Sequence, residues 1–130
     1  MLPASKRLRK TTDFKMVYTR GRSYVHPMLV AYVLRKEQQG VRFGFSVSKK
    51  LGGAADRNRI KRLLREACRG FMSRLRAGTD VVIVGRSPIT GASLAQIKSA
   101  LDQVLTKAQD GADSARGERR FKGRIASDGE

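Results

Sequence analysis

Groups that carry enzymatic chemistry are scarce in this chain of 130 residues. Its one cysteine, Cys68, excludes an internal disulfide and any zinc site built from several cysteines. Its one histidine, His26, precedes Pro27 and is more typical of a turn or surface residue than of a catalyst. No two carboxylates lie at a spacing that indicates acid–base or two-metal chemistry. The sequence therefore predicts no catalytic residue and no metal site in the protein itself.

Long apolar runs are also missing. No stretch approaches the roughly 20 residues that a membrane-spanning helix needs. The basic N-terminal residues are not followed by the apolar core of a signal peptide. We therefore expect a cytoplasmic protein that makes no membrane contact.

Acidic residues are few beside the basic ones: 11 Asp and Glu stand against 28 Lys and Arg, a formal net charge of +17. A compact protein with this surplus repels itself and is stabilised beside a polyanion. Nucleic acid is the favoured partner, and an acidic protein is the alternative that charge alone leaves open. The length and the 40% of hydrophobic residues are those of one folded domain.

Hydrophobic periodicity predicts the order α-β-β-β-α-β-α, a single α/β sandwich-like domain over residues 1–109 that begins with a basic arm at 1–11. A first helix capped by Thr11 or Thr12 precedes a short strand and a second strand over 28–35, whose apolar residues on both parities indicate burial of both faces. Strands over 41–48 and 80–85 flank a long helix over 54–75, and Ser93 caps the last helix. Residues 110–130 are rich in Gly, Ser and mixed charge, which predicts a disordered tail.

The long helix carries the strongest functional signal. An apolar stripe faces the core, while Arg57, Lys61 and Arg65 recur at i, i+4 and i+8 on another side. Guanidinium groups bind phosphate oxygens in pairs, so such a band suits a nucleic-acid backbone. Only Asp56 and Glu66 lie nearby, too few for an ordinary solvated face with paired charges. The predicted binding residues of this helix are Arg57, Asn58, Arg59, Lys61, Arg62, Arg65 and Arg69.

Aromatic residues near basic ones form a second candidate surface. Single-stranded nucleic acid is held by aromatic rings that stack on bases inside a basic groove. Strand alternation already explains Phe43 and Phe45 as core residues. For Phe14, Tyr18 and Tyr32 the residues alone leave core and binding roles equally open.

The segment that leads into the long helix is a weaker signal. Ser48, Lys49 and Lys50 follow a strand and precede two glycines and a helix start, a place where phosphate can bind. The Gly-Lys-Ser/Thr order of a nucleotide-binding loop is absent. An ordinary strand end and loop is the interpretation that the residues favour.

Several motifs, taken in order, resemble the bacterial ribonuclease P protein family. The helix sequence is similar to the RNR signature of that family: Arg57-Asn58-Arg59-Ile60-Lys61-Arg62-Leu63-Leu64-Arg65-Glu66. Further segments match in order and spacing, namely Leu8-Arg9-Lys10 with Asp13-Phe14 and Gly21, Phe45-Ser46-Val47-Ser48-Lys49-Lys50, and Asp80-Val81-Val82-Ile83-Val84. The resemblance covers about residues 4–107, and Gly53 departs from it by standing where a polar helix cap is common.

The resemblance implies a four-stranded sheet with a left-handed βαβ crossover, against the general preference for the right-handed connection. It implies that the protein is a subunit of ribonuclease P, the endonuclease that removes the 5′ leader of precursor tRNA. Catalysis then belongs to a partner RNA that holds Mg²⁺, with no cofactor bound stably by the protein and no obligate protein partner. The long helix would bind the catalytic RNA, and the leader would contact Phe14, Tyr18, Tyr32, Arg9, Lys10, Ser48, Lys49 and Lys50.

Three other classes account for part of the pattern. A ribosomal or ribosome-assembly protein would share the charge and the arginine-rich helix, but not the ordered motifs. A protein-only nuclease lacks residues that could activate water, and a DNA-binding protein would carry a helix-turn-helix or zinc pattern. Stimulation of a catalytic RNA distinguishes the subunit from the structural RNA binder.

The charge argument makes a quantitative prediction. If the helix contacts roughly 6–10 phosphates, RNA affinity should fall by about 10³–10⁵ between roughly 50 and 200 mM salt, because each contact releases condensed counterions. Filter binding or fluorescence anisotropy over that range measures it. A nearly flat dependence on salt would contradict the phosphate-binding band.

Overall fold

The computed structural model describes residues 7, 8, 10–36, 40–110, 115 and 116. Its helices are α1 (Thr11–Arg20), α2 (Ala54–Arg69) and α3 (Leu94–Asp110), and its strands are β1 (Arg22–Val25), β2 (Leu29–Arg35), β3 (Val41–Ser46), β4 (Thr79–Gly85) and β5 (Ala115–Arg116). The predicted order α-β-β-β-α-β-α is confirmed, with the two-residue β5 added from the predicted tail. The remainder of that tail, and most of the basic arm, lie outside the described residues.

The sheet has the strand order β3-β4-β2-β1-β5. Strand β2 pairs antiparallel with β1 and with β4, while β3 and β4 run parallel and are joined through α2. The four principal strands therefore form the predicted sheet with a βαβ connection between neighbours. The left-handed sense of that connection stays a prediction.

The central strands are covered on both faces, as the sequence of β2 predicts. Ala31 of β2 and Ile83 of β4 belong to the large core that α2 and α3 cover. Tyr32 and Val82, one residue along each strand, belong to a smaller core under α1. Successive side chains of a strand point to opposite faces, so a strand that is covered on both faces needs apolar residues at odd and at even positions.

Helix α2 is shorter than predicted. It ends at Arg69, and a turn of 3₁₀ helix at Met72–Arg74 replaces the predicted continuation to residue 75. Gly70 favours helix termination, and the Phe71 N–H donates to the Cys68 carbonyl in a tighter turn (2.9 Å). The apolar stripe misled the prediction because Phe71 is still buried after the helix has ended.

One of the two predicted side-chain caps is present. Ser93 and Gln96 form a reciprocal capping box, in which the Ser93 N–H donates to Oε1 of Gln96 (2.9 Å) and the Gln96 N–H donates to Oγ of Ser93 (3.2 Å). The prediction for α1 was wrong. Lys10 occupies the N-cap without a side-chain hydrogen bond, and Thr11 and Thr12 lie inside the first turn.

A buried carboxylate connects the sheet to α1. Asp80 of β4 is fully buried and receives two hydrogen bonds from Arg42 of β3, from Nε to Oδ1 (3.0 Å) and from Nη2 to Oδ2 (2.9 Å). Nζ of Lys36 lies 3.3 Å from the same carboxylate, and Nη1 of Arg42 lies 3.8 Å from Asp13 of α1. The hydrogen bonds to Asp80 raise the pKa of Arg42 despite its partial burial. No local sequence pattern indicates this network.

Replacement of Asp80 should therefore be costly. Asp80→Asn removes the buried carboxylate that Arg42 and Lys36 share, and we expect it to lower the free energy of unfolding by roughly 3 kcal/mol. The control is Asp102→Asn, since Asp102 pairs with Arg74 on the surface and its loss should change stability by about 0.5 kcal/mol or less. Urea unfolding of both variants measures the difference. Equal small effects would show that the Asp80 network is not needed for stability.

Candidate nucleic-acid interface

Helix α2 is held by its apolar side. Ile60, Leu64, Ala67 and Cys68 are buried against the sheet and α3, which determines the side that remains outside. Burial raises the pKa of the Cys68 thiol well above its usual value, so this group stays protonated and serves packing. The burial of these four residues confirms the predicted apolar stripe.

The predicted binding residues lie on the remaining sides of α2. Their exposure increases away from the sheet. Half-buried positions are Arg57, Lys61 and Arg65, and exposed positions are Asn58, Arg59, Arg62 and Arg69. The structure thus brings the predicted band together on one helix anchored by a core.

Two arginines of the band are also tied to neighbouring segments. Nε of Arg57 donates to the carbonyl of Gly52 (3.2 Å), and Nη2 of Arg59 donates to the carbonyl of Ala92 (3.3 Å). Gly52 has φ of +131°, a conformation that side chains rarely adopt. These bonds hold the start of α2 although its N-cap, Gly53, offers no side-chain bond. They reduce the rotamer freedom of both arginines before any ligand binds.

The middle of the band concentrates positive charge. Partial burial lowers the pKa of Arg65, and the like charges of Arg7 and Arg62 lower it further. The nearby acidic side chain, Glu66, already forms an ion pair, since its Oε2 lies 2.7 Å from Nη2 of Arg69. That hydrogen bond lowers the pKa of Glu66 and keeps it ionised beside Arg69. An incoming anion would relieve the repulsion around Arg65.

The three candidate aromatic residues form a cluster between α1 and the sheet. The rings of Tyr18 and Tyr32 meet edge to face at 4.9 Å between centroids. Phe14 lies over Gly44, where an added Cβ would come within 2.7 Å of its ring. Exposures are 4% for Phe14, 4% for Tyr18 and 9% for Tyr32, so their main partners here are one another and the sheet. Their contact with a leader stays a prediction.

Strand β3 ends at Ser46, two residues before its predicted end, and its phenylalanines are core residues as strand alternation predicts. Phe43 and Phe45 are buried in the large core, with near-parallel rings 6.3 Å apart. Ser48 is half-buried, while Lys49 and Lys50 are exposed on the 3₁₀ turn between β3 and α2. The two lysines therefore adjoin the beginning of the arginine band.

The arm residues contribute a contact that the sequence analysis missed. The Leu8 N–H donates to the Phe43 carbonyl (2.8 Å), and Arg7 forms a parallel bridge with the same residue. No binding role was predicted for Arg7, because its position in a basic run carries no periodicity. Lys10 is exposed at the start of α1, and Arg9 lies outside the described residues.

The described ranges outside the arginine band and the aromatic cluster hold few groups with other chemistry. There, no group of three or more His, Cys, Asp and Glu side chains could hold a metal ion. His26 has a turn role, since its Nδ1 accepts a hydrogen bond from the Met28 N–H (3.0 Å). No described helix is both long enough and apolar enough to cross a bilayer.

Comparisons with known proteins agree on one family. The model of the family Ribonuclease P matches residues 2–109. The ribonuclease P protein component of Caldanaerobacter subterraneus subsp. tengcongensis is 42% identical over 101 residues, which cover 78% of this chain and 87% of that protein. The one of Shouchella clausii is 40% identical over 105 residues, 80% of this chain and 86% of that protein.

Solved structures give the same result. The ribonuclease P protein of Staphylococcus aureus superposes with a TM-score of 0.73 at 35% identity, covering 80% of this chain and 95% of that one. The protein of Thermotoga maritima superposes with a TM-score of 0.71 at 26% identity, covering 78% and 96%.

The predicted contact between the aromatic cluster and a leader can be tested without unfolding the chain. Phe14→Leu keeps most of the apolar volume but removes the ring, so affinity for leader-bearing precursor tRNA should fall by roughly 5–150-fold, while mature tRNA is unaffected. Phe43→Leu, the same change in the opposite core, should leave both affinities unchanged. Anisotropy titrations of both variants measure this. Parallel losses for precursor and mature tRNA would contradict leader stacking.

Proposed function

Because the chain belongs to the ribonuclease P protein family, we propose that it binds the catalytic RNA of ribonuclease P through α2 and the 5′ leader of precursor tRNA through the side of the sheet that carries α1. The holoenzyme of this family is an endoribonuclease. In this proposal the protein supplies binding energy and position, and the RNA performs the cleavage.

The arginine band of α2 is the observation that supports RNA binding most directly. Its cations lie along about four turns of one helix, and two of them are already restrained by hydrogen bonds to carbonyl groups. A guanidinium that is restrained before binding loses less conformational entropy when it meets a phosphate. Adjacent Lys49 and Lys50 extend the same positive surface toward β3.

Magnesium is assigned to the RNA in this proposal. Mg²⁺ prefers oxygen ligands in an octahedral arrangement, usually carboxylates together with phosphates and water. Within the described ranges the carboxylates of Asp80, Glu66 and Asp102 are each held in an ion pair. The described residues also contain no group of three or more His, Cys, Asp and Glu side chains that could hold a metal ion, so no catalytic step is assigned to them.

Leader binding is assigned to the small core and its surroundings. Phe14 and Tyr18 of α1 and Tyr32 of β2 lie together, and Lys10 is exposed at the start of the same helix. Ring burial means that a leader base must reach this cluster from its edge or displace part of it. The family resemblance, rather than exposure, supports this part of the proposal.

Cleavage of a 5′-extended precursor tRNA at low magnesium tests the proposal. The RNA subunit of a bacterial ribonuclease P is assayed with and without this protein. We expect cleavage only when both are present, because the protein neutralises phosphates that otherwise require additional Mg²⁺. Binding without stimulation would indicate a structural RNA binder instead, and cleavage by the protein alone would overturn the assignment of catalysis to the RNA.

Variants that remove arginine charges test whether RNA binding depends on α2. The double variant Arg62→Gln with Arg65→Gln should weaken RNA binding and lower the slope of log affinity against log salt by about 2, one for each lost phosphate contact. The matched control is Arg20→Gln with Arg22→Gln, two exposed arginines near β1, which lies three strands away from β3. Equal losses in both variants would show a general charge effect without a site.

A further inference from the structure

The N-terminal segment places one arginine beside the band. Arg7 and Leu8 run along the outer edge of β3, where the Leu8 N–H bonds to Phe43. Leu8 enters the small core under α1. Because neighbouring side chains in an extended segment point to opposite faces, Arg7 is directed to the face that α2 covers.

The Arg7 side chain contains a donor without an acceptor. Its Nε is buried and has no hydrogen-bond partner in the part of the chain that the structure describes, although the residue as a whole is only half-buried. A buried N–H that lacks an acceptor is unfavourable, and such groups in folded proteins usually have a reason. Here the donor belongs to a charged side chain of a half-buried residue.

Arg65 of α2 has two guanidinium neighbours, one from the arm and one from its own helix. The charges of Arg7 and Arg62 both act on Arg65. A depression of about 300 Å³ lies at this point of the helix and is lined by Arg62, Leu63, Arg65 and Glu66. Glu66 forms an ion pair with Arg69, and this ion pair lies toward the C-terminal end of α2. Three cations from two distant parts of the chain thus converge where the described residues supply little counter-charge.

We propose that Arg7, Arg62 and Arg65 together hold one phosphate group of the RNA that lies along α2. Nε–H and one terminal N–H of Arg7 form a paired contact with two phosphate oxygens, and the α2 arginines approach the same group from the helix. A phosphodiester fits because it offers two anionic oxygens to several donors and continues along the band. The inference rests on the proposed function and adds the arm of the protein to its RNA-binding surface.

Three single variants separate charge from geometry. Arg7→Gln removes the charge and the fork, and Arg7→Lys keeps the charge but has no Nε–H at that position. Arg22→Gln removes an exposed arginine from β1, which lies three strands away from β3, about 14 Å at the usual strand spacing. Each is titrated with the catalytic RNA at several salt concentrations.

We expect Arg7→Gln to weaken RNA binding about tenfold and to lower the salt slope by about 1. Arg7→Lys should weaken binding by about fivefold with an unchanged slope, because the charge stays and the paired hydrogen bond is lost. Arg22→Gln should change affinity less than about twofold. In the double variant with Arg65→Gln, the losses should be less than additive, since both residues hold one phosphate.

Other outcomes decide against the inference or against its premise. If wild-type protein binds with a steep salt slope but Arg7→Gln behaves like Arg22→Gln, the clamp is wrong and the proposed function stands. If wild-type protein does not bind the RNA, the proposed function itself fails. The shared phosphate contact would be ruled out if Arg7→Lys bound RNA as tightly as wild type. It would also be ruled out if the losses of RNA affinity caused by Arg7→Gln and Arg65→Gln were additive.

The melting temperature of the free protein distinguishes an RNA contact of Arg7 from a purely structural role. Removal of a buried donor that has no acceptor should leave the melting temperature of Arg7→Gln at or above that of wild type. A marked fall in melting temperature, together with the loss of RNA affinity, would assign Arg7 to the fold and overturn the clamp.

Discussion

The carboxylate of Asp80 is the group on which the arrangement of the other parts depends. It has no contact with water, and a buried charge persists in a protein only when it is partnered. Arg42 and Lys36 supply that partnership from β3 and from the end of β2, and Arg42 extends it to Asp13 of α1. Four elements are thereby fixed around one charge. On α1, Phe14 packs closely on the sheet because Gly44 has no side chain there.

The two faces of the sheet then differ in what they leave outside. On one face a large core takes the apolar stripe of α2 and leaves its other sides to cations, so repulsion within the band is offset by burial beneath it. On the other face a small core of Phe14, Val17, Tyr18 and Tyr32 holds a single helix. A thin core is easier to open than a thick one. The side proposed for a variable leader is thus the less extensively packed side.

Sequence patterns predicted those parts of the structure that depend on residues close together in the chain. The apolar runs of β2 and β4 indicated burial on both faces, and Ser93 indicated the start of α3 because a capping box needs only neighbours. The pair of Arg42 and Asp80 spans 38 residues and depends on the register of β3 against β4, which no local pattern contains. For the aromatic cluster, the residues left core and binding roles equally open, because periodicity does not show how deeply a ring is buried. Arg7 was missed because its role depends on an edge pairing.

That edge pairing also bears on how the chain avoids self-association. Strand β3 is the last strand on its side of the sheet, and an open edge strand with Phe43 and Phe45 is a template for intermolecular β-pairing. The hydrogen bond from Leu8 to the Phe43 carbonyl occupies part of that template. The same short segment therefore protects the edge of the sheet. Chains shortened past Leu8 would expose β3 to strand-mediated aggregation and would also lose one side chain of the small core.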